Sequence, residues 1–140
     1  AMAYRGSCAC GAVTVRIEGQ PLAVRQCWCR QCQKLASGGP TCNAIFQTAD
    51  IAWSGAIASN HRIAASGNEL TWAFCPACGT QLYGASSARP EMRAVRLGLL
   101  DDHGLTPSVA IWTNEAPAGT TIDPAIEHFP GQPPAPGTAR

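Results

Sequence analysis

The 140-residue chain has few charged and few aromatic residues. Charged residues make up 14% of it and aromatic residues 6%, and ten Lys and Arg against nine Asp and Glu give a formal net charge of +1. Because a near-neutral chain without a basic run offers no electrostatic attraction to a polyanion, we expect no nucleic-acid partner. No apolar run reaches the length of a membrane-spanning helix, so we also expect no membrane partner.

The sequence begins without the basic and apolar segments of an export signal, and we therefore expect a cytoplasmic protein. Its length is that of one globular domain. From residue 130 the sequence PGQPPAPGTAR is rich in Pro and Gly and has no apolar anchor. We predict a single domain over residues 1–129 and a flexible tail over residues 130–140.

Alternation of apolar and polar residues predicts strands with one solvent-facing side in several segments. The clearest are residues 13–17, 70–74 and 95–99, and shorter candidates are residues 44–47, 51–54, 81–83 and 109–113. Only residues 30–36 favour a helix, which the sequence Ser37-Gly38-Gly39-Pro40 would end. The predicted fold class is mainly β, with small antiparallel sheets and one short helical turn.

Cysteine is the residue that the chain has in excess. Seven of the eight cysteines stand in three close groups, which are Cys8 and Cys10, then Cys27, Cys29 and Cys32, then Cys75 and Cys78. In a chain without an export signal this clustering favours metal binding, with structural disulfides as the alternative. Cys42 stands alone, and the three histidines lie far from every group in the sequence, so we do not expect them to be ligands.

The first and last groups together offer four thiolates. Cys75 and Cys78 are three positions apart, and Gly79 permits the positive φ that such a turn needs. Cys8 and Cys10 would point the same way on a strand, with Cα atoms about 6.6 Å apart. We predict a closed, structural zinc site made of these four cysteines. The alternative is that Cys8 and Cys10 are free thiols.

The middle group differs because it offers three thiolates within six residues, Cys27, Cys29 and Cys32. A zinc ion with three protein ligands keeps its fourth position for water or substrate, so we predict a catalytic site. Arg30 and Lys34 would favour anions such as a peptide carboxylate. Two alternatives stay open: Cys42 supplies a fourth ligand and closes the site, or the group binds no metal and undergoes oxidation and reduction.

Three motifs in this order resemble the glutathione-dependent formaldehyde-activating enzyme family, which also includes centromere protein V. They are G-x-C-x-C-G-A-V, C-x-C-x-x-C-Q-K and F-C-P-x-C-G-T, at residues 6–13, 27–34 and 74–80. The resemblance implies a β-tent fold built around zinc. It implies that the four-cysteine set is the structural zinc site and that Cys27, Cys29 and Cys32 form the catalytic one. The family's named activity joins glutathione and formaldehyde, which in reverse is a carbon–sulfur lyase reaction.

The chain departs from this family pattern at three positions. Trp28 and Ala110 stand where a His is common, and Trp72 stands where a basic residue is expected. All seven clustered cysteines match the pattern. We therefore expect a zinc-dependent, carbon–sulfur lyase-like protein that handles a thiol such as glutathione as an adduct of formaldehyde or another small aldehyde. The alternatives are a non-catalytic thiol carrier and a structural zinc module for protein interaction.

Overall fold

The structure, a computed structural model, describes residues 3–134. These residues form eleven strands and one α-helix, α1 (Arg30–Leu35). The strands are β1 (Tyr4–Ser7), β2 (Thr14–Ile17), β3 (Ala23–Cys27), β4 (Thr41–Gln47), β5 (Ile51–Ser54), β6 (Ala58–Ile63), β7 (Glu69–Phe74), β8 (Gln81–Ser86), β9 (Met92–Arg96), β10 (Val109–Ile111) and β11 (Glu127–His128). Three short 3₁₀ helices span Thr48–Asp50, Leu97–Leu99 and Thr113–Glu115. The mainly β fold class with one short helix is confirmed.

The strands form two sheets of unequal size. A three-stranded sheet has the order β1-β2-β5, and an eight-stranded sheet has the order β11-β10-β3-β4-β9-β8-β7-β6. Strands that are neighbours in a sheet pair antiparallel, except that β10 lies parallel to both of its neighbours, β3 and β11. Parallel neighbours need a long connection, which the chain between β3 and β10 provides. The larger sheet is therefore mixed rather than purely antiparallel.

The buried core includes residues from the inner faces of both sheets. Among its largest fully enclosed side chains are Val13, Ile17, Phe46, Leu82 and Val95. The alternation predicted for residues 13–17 is confirmed, because the apolar residues of β2 are buried and the polar ones exposed. This packing fixes β3, β4 and β9 side by side, and their other face carries the middle group of cysteines, Cys27, Cys29 and Cys32, called the second cluster below.

The predicted strand over residues 95–99 is wrong in its second half. The strand β9 ends at Arg96, and Leu97–Leu99 form a 3₁₀ turn closed by a hydrogen bond of 3.1 Å from the Leu100 amide to the Leu97 carbonyl. Leu97 and Leu99 are both buried while Gly98 is exposed. The turn thus has the alternating burial that is typical of a strand. This explains why the alternation of apolar and polar residues predicted a strand here.

The end of the described chain returns to β10 and the loop after it. The amide of Trp112 donates to the Gly131 carbonyl at 3.3 Å, and its indole donates to the Gln132 side chain at 3.0 Å. Residues 1–2 and 135–140 lie outside the described residues. The proposed division into a domain over residues 1–129 and a flexible tail over residues 130–140 stays a prediction. Within residues 3–134 no helix has both the length and the apolar character needed to span a bilayer.

Candidate metal centres

Two turns bring the first cluster together. Cys8 and Cys10 lie in the turn between β1 and β2, and Cys75 and Cys78 lie in the turn between β7 and β8. The amide of Gly11 donates to the Cys8 carbonyl at 3.0 Å, and that of Gly79 donates to the Cys75 carbonyl at 2.8 Å. Cys8 and Cys10 were expected on a strand. The turn instead draws their sulfurs to 3.6 Å, closer than a flat strand allows.

The four sulfurs of this cluster fit a tetrahedral zinc ion. All four lie within 4.8 Å of one another, and the Cys10 sulfur is 3.9 Å from that of Cys75. A zinc ion with sulfur ligands at about 2.3 Å separates them by about 3.8 Å, which agrees with the observed distances. None of the eight cysteines forms a disulfide. The cluster can therefore hold a metal ion with four thiolates.

Hydrogen bonds around the first cluster favour the thiolates of Cys8 and Cys78. Cys10 differs: a backbone hydrogen bond at Ala12 lowers its pKa, but hydrogen bonds with Cys8 and Cys78 act the other way, and the pKa of Cys10 is raised to about 11. The amide of Val13 donates to the Cys8 sulfur at 3.2 Å, and this bond lowers the pKa of Cys8. The hydroxyl of Thr80 lies 3.1 Å from the Cys78 sulfur and lowers the pKa of Cys78 to about 5. Thr80 also accepts a hydrogen bond of 3.1 Å from the Ala9 amide. It therefore links the two turns that carry the ligands.

The second cluster is built where β3 passes into α1. Cys27 is the last residue of β3, Cys29 caps the amino end of α1, and Cys32 lies in its first turn. The amide of Cys32 donates to the Cys29 sulfur at 3.4 Å. The three half-buried sulfurs lie within 4.8 Å of one another, and no His, Cys, Asp or Glu atom from residues 3–134 completes the group. The arrangement can hold a metal ion with three protein ligands.

Cys42 does not join the second cluster. It is paired with Gln26 across β3 and β4, whereas its neighbour Thr41 is paired with Cys27. Because successive side chains point to opposite faces, Cys42 faces away from the cluster, and it packs against the main core. This placement opposes the alternative in which Cys42 closes the site. The histidines in the described chain likewise belong to neither cluster.

The pKa values of Cys27 and Cys29 in the second cluster are shifted in opposite directions. Hydrogen bonds from Cys27 and Cys32 lower the pKa of Cys29 to about 2, and the bond to Cys29 raises the pKa of Cys27. Without a metal ion, ionisation of one of these sulfurs therefore opposes ionisation of its neighbours. Since zinc binds thiolates, its binding to all three sulfurs must release protons.

A chain of hydrogen bonds across the sheet ends on this cluster. Arg96 Nη1 donates to Asn43 Oδ1 at 2.7 Å, Asn43 Nδ2 donates to Thr41 Oγ1 at 3.0 Å, and the Thr41 hydroxyl donates to the Cys32 sulfur at 3.1 Å. Thr41 and Asn43 are both buried. Each donor points toward the sulfur, so the chain stabilises negative charge on Cys32. The sequence did not indicate these residues, because contacts between neighbouring strands leave no spacing signal.

The loop after β10 holds α1 in place beside the cluster. The carboxylate of Glu115 accepts a hydrogen bond of 2.7 Å from the Arg30 amide, and its carbonyl accepts one of 2.9 Å from Gln33. Arg30 Nη1 donates to Gln33 at 2.7 Å. The role expected for Arg30 and Lys34 in attracting anions stays a prediction. Trp28 is buried, and its carbonyl accepts a further hydrogen bond from Gln33.

The fold and the two clusters define a mainly β protein whose cysteines can hold metal ions at two sites. The family model described as "Glutathione-dependent formaldehyde-activating enzyme" matches residues 3–115. The chain belongs to this family, which binds zinc.

A crystal structure of a Rhodobacter sphaeroides protein has the same fold. It is 24% identical in sequence, the match covers 74% of this chain and 91% of that one, and the TM-score is 0.57. No curated protein matches the chain. The resemblance seen in the sequence motifs is thus confirmed at the level of the family.

Proposed function

We propose that Cys27, Cys29 and Cys32 form an open zinc site that takes a thiol such as glutathione for reaction with formaldehyde or another small aldehyde. One observation carries this proposal: within the described chain, three sulfurs come together and no further Cys, His, Asp or Glu joins them. The other cluster, with four sulfurs, would hold a structural zinc ion. Family membership supports the choice of thiol and aldehyde.

The chain's own residues prepare the site for this reaction. When bound, zinc lowers the pKa of a thiol in its open position, so that the sulfur is nucleophilic at neutral pH. Cys27 and Cys29 hold two sides of the site, and Cys32 holds the third under the hydrogen bond from Thr41. The substrate thiol gives its proton to solvent, its sulfur attacks the carbonyl carbon, and a carbon–sulfur bond forms as the C=O π bond opens. The resulting oxygen anion takes a proton from solvent, so no net proton is consumed. The reverse is carbon–sulfur lyase chemistry.

A non-catalytic thiol carrier is the second candidate, and one observation favours it. Among residues 3–134 no His, Asp or Glu joins the sulfurs of the second cluster, and the Glu115 carboxylate beside α1 already accepts a hydrogen bond from the Arg30 amide. A carrier would bind glutathione without speeding its reaction. The structural module of the sequence analysis is less well supported, because Cys42 lies on the opposite face of β4 and cannot close the site from there.

The eight cysteines also bear on where the protein works. None is paired in a disulfide. Both clusters need reduced thiols to bind zinc, and reduced thiols persist in the cytoplasm. These points support the proposal of a cytoplasmic protein.

The test is the rate at which formaldehyde exchanges between its free form and its glutathione adduct, measured by magnetisation transfer in NMR. The zinc-loaded protein at trace concentration should raise this rate, whereas a carrier would alter it only in proportion to its amount. Cys29→Ser should return the rate to that of buffer. Cys42→Ser, which leaves the cluster intact, is the matched control and should keep the activity. Full activity in Cys29→Ser would refute the assignment.

A further inference from the structure

Two arginines flank the buried Asn43 on the face of the sheet that carries the second cluster. Arg25 in β3 and Arg96 in β9 are both paired with Asn43 in β4, so the three residues lie in one row across the sheet. The neighbouring row holds Cys27, paired with Thr41. Residues two apart on a strand share a face, and therefore Arg25 and Cys27 point to the same side.

Neither arginine has an acidic partner within residues 3–134. Arg25 and Arg96 take no part in the ion pairs Arg16–Glu18 and His61–Glu69. Both Arg25 and Arg96 are only partly exposed, and the cysteine sulfurs of the second cluster are the negative groups that act on them. Guanidinium donors that these contacts leave unused in a partly buried place are costly, which points to an anion that meets them when the protein works.

The donors of both side chains are largely unused. The Arg25 side chain forms no hydrogen bond within the described chain, and Arg96 donates through Nη1 to Asn43 at 2.7 Å. The buried Nε of Arg96 has no partner. Next to Arg96, Gly84 has no side chain, and a Cβ there would lie 3.4 Å from Arg96 Nη2. The row thus presents free guanidinium donors, which suit a carboxylate.

Charge and distance agree with this ligand. A zinc ion with three thiolates has a net charge of −1, so the two arginines leave the site positive before a substrate arrives. The Cα atoms of Arg25 and Cys27 are about 6.6 Å apart on the strand. Arg25 and Cys27 thus stand in adjacent rows on one face, as the carboxylate and the sulfur stand on adjacent residues in a peptide that ends one residue after its cysteine.

We propose that Arg25 and Arg96 form a carboxylate subsite that selects peptide thiols and directs their sulfur toward the open position of the second cluster. The inference rests on the proposed function, because it names the substrate class of the same site. It assigns the carboxylate next to the cysteine, which in glutathione is that of glycine. Asn43 holds Arg96 in the row through its side-chain oxygen.

The test measures dissociation constants by calorimetry on the zinc-loaded protein. The ligands are glutathione, its glycine ethyl ester, and S-methylglutathione, which keeps both carboxylates and has no thiol. Esterification and the variant Arg25→Gln should each weaken glutathione binding about tenfold or more. Arg16→Gln is the matched control, because Arg16 is exposed on the other sheet and should leave binding unchanged.

The same ligands separate this proposal from the function on which it rests. If S-methylglutathione binds as tightly as glutathione, the sulfur is not a ligand and the open site fails, while an effect of Arg25→Gln would still support the subsite. Equal affinity for glutathione and its ester, with no loss in Arg25→Gln for either tripeptide, would overturn the subsite. The two arginines would then only offset the charge of the thiolates. The ester comparison needs no variant, so it holds even if substitutions at Arg96 prevent folding.

Discussion

The hydroxyl of Thr41 lies 3.1 Å from the sulfur of Cys32 and joins the second cysteine cluster to the central strands of the sheet. Thr41 is buried at the start of β4, opposite Cys27, so the same strand pair places one ligand and supports another. Such contacts orient a metal ligand and stabilise its charged form. The position of Cys32 therefore depends on residues that sequence motifs do not include.

Thr41→Val should weaken zinc binding at the second cluster about tenfold, because valine keeps the shape of threonine and removes the donor to Cys32. The rate of zinc transfer to a chromophoric chelator measures this, with the slower zinc ion of the first cluster as an internal reference. Thr48→Val is the control, since the Thr48 hydroxyl donates to the Pro90 carbonyl at 2.8 Å and touches neither cluster. Equal transfer rates in all three proteins would show that the Thr41 contact does not act on the metal.

Cys78→Ala should lower the Tm by about 10 °C or more. The reason is that the first cluster ties together turns that are 65 residues apart in the chain, as measured from Cys10 to Cys75, and so restricts the unfolded state strongly. Cys78 is exposed, so its loss creates no cavity. Cys29→Ala is the comparison, because the second cluster spans only six residues and its loss should cost much less. Thermal unfolding of both variants gives the two Tm values. A larger drop in Tm for Cys29→Ala than for Cys78→Ala would reverse the assignment of the structural and open sites.

Alkylation should single out Cys42 in the zinc-loaded protein. Zinc protects the seven clustered thiols, whereas Cys42 packs against the core and lies outside both clusters. Burial raises the pKa of Cys42, so its thiolate fraction is small at neutral pH, and its reaction with iodoacetamide should be slow and should accelerate as the pH rises. Mass spectrometry of the digested protein gives the rate. A Cys42 that reacts only after zinc removal would be a metal ligand, contrary to this account.

Gly6→Ala should cost about 3 kcal/mol of stability. A Cβ at Gly6 would overlap the backbone carbonyl of Leu99. At this point the two segments of the chain form an isolated β-bridge between Gly6 and Leu100. Gly98→Ala is the matched control, because a Cβ there meets no atom within 4 Å and its φ is not positive. Urea unfolding of both variants compares the free energies of unfolding. Similar free energies of unfolding for the two variants would mean that the backbone at Gly6 and Leu99 shifts to accept a Cβ at little cost.

The sequence predicted best those elements whose burial alternates along the chain. Strand β2 is one, since every second residue enters the core. Strand β6 was missed because it lies at the end of the large sheet and is exposed along nearly its whole length, which leaves no apolar alternation. The parallel pairing of β10 with β3 was also missed. Nothing local indicates which distant strand will be a neighbour.

The residues of the candidate site likewise fall into those that the sequence predicted and those that only the folded structure brings together. The spacing of Cys27, Cys29 and Cys32 pointed to one cluster, because one local turn is enough to bring ligands within six residues together. Arg96 and Asn43 belong to strands that meet only in the folded sheet, so no spacing in the chain marks them. The loop residue Glu115 supports α1 from 85 positions away, and its role likewise appears only in the folded protein.

The most direct test of the open zinc site is zinc X-ray absorption on the reduced, zinc-loaded protein, which counts the sulfur atoms around each metal ion. One closed and one open site predict an average of about 3.5 sulfurs per zinc, rising to about 4 when glutathione is added. S-methylglutathione, which has no thiol, should leave the average near its starting value. Four sulfurs per zinc before any thiol is added, or an average that glutathione does not change, would contradict the account.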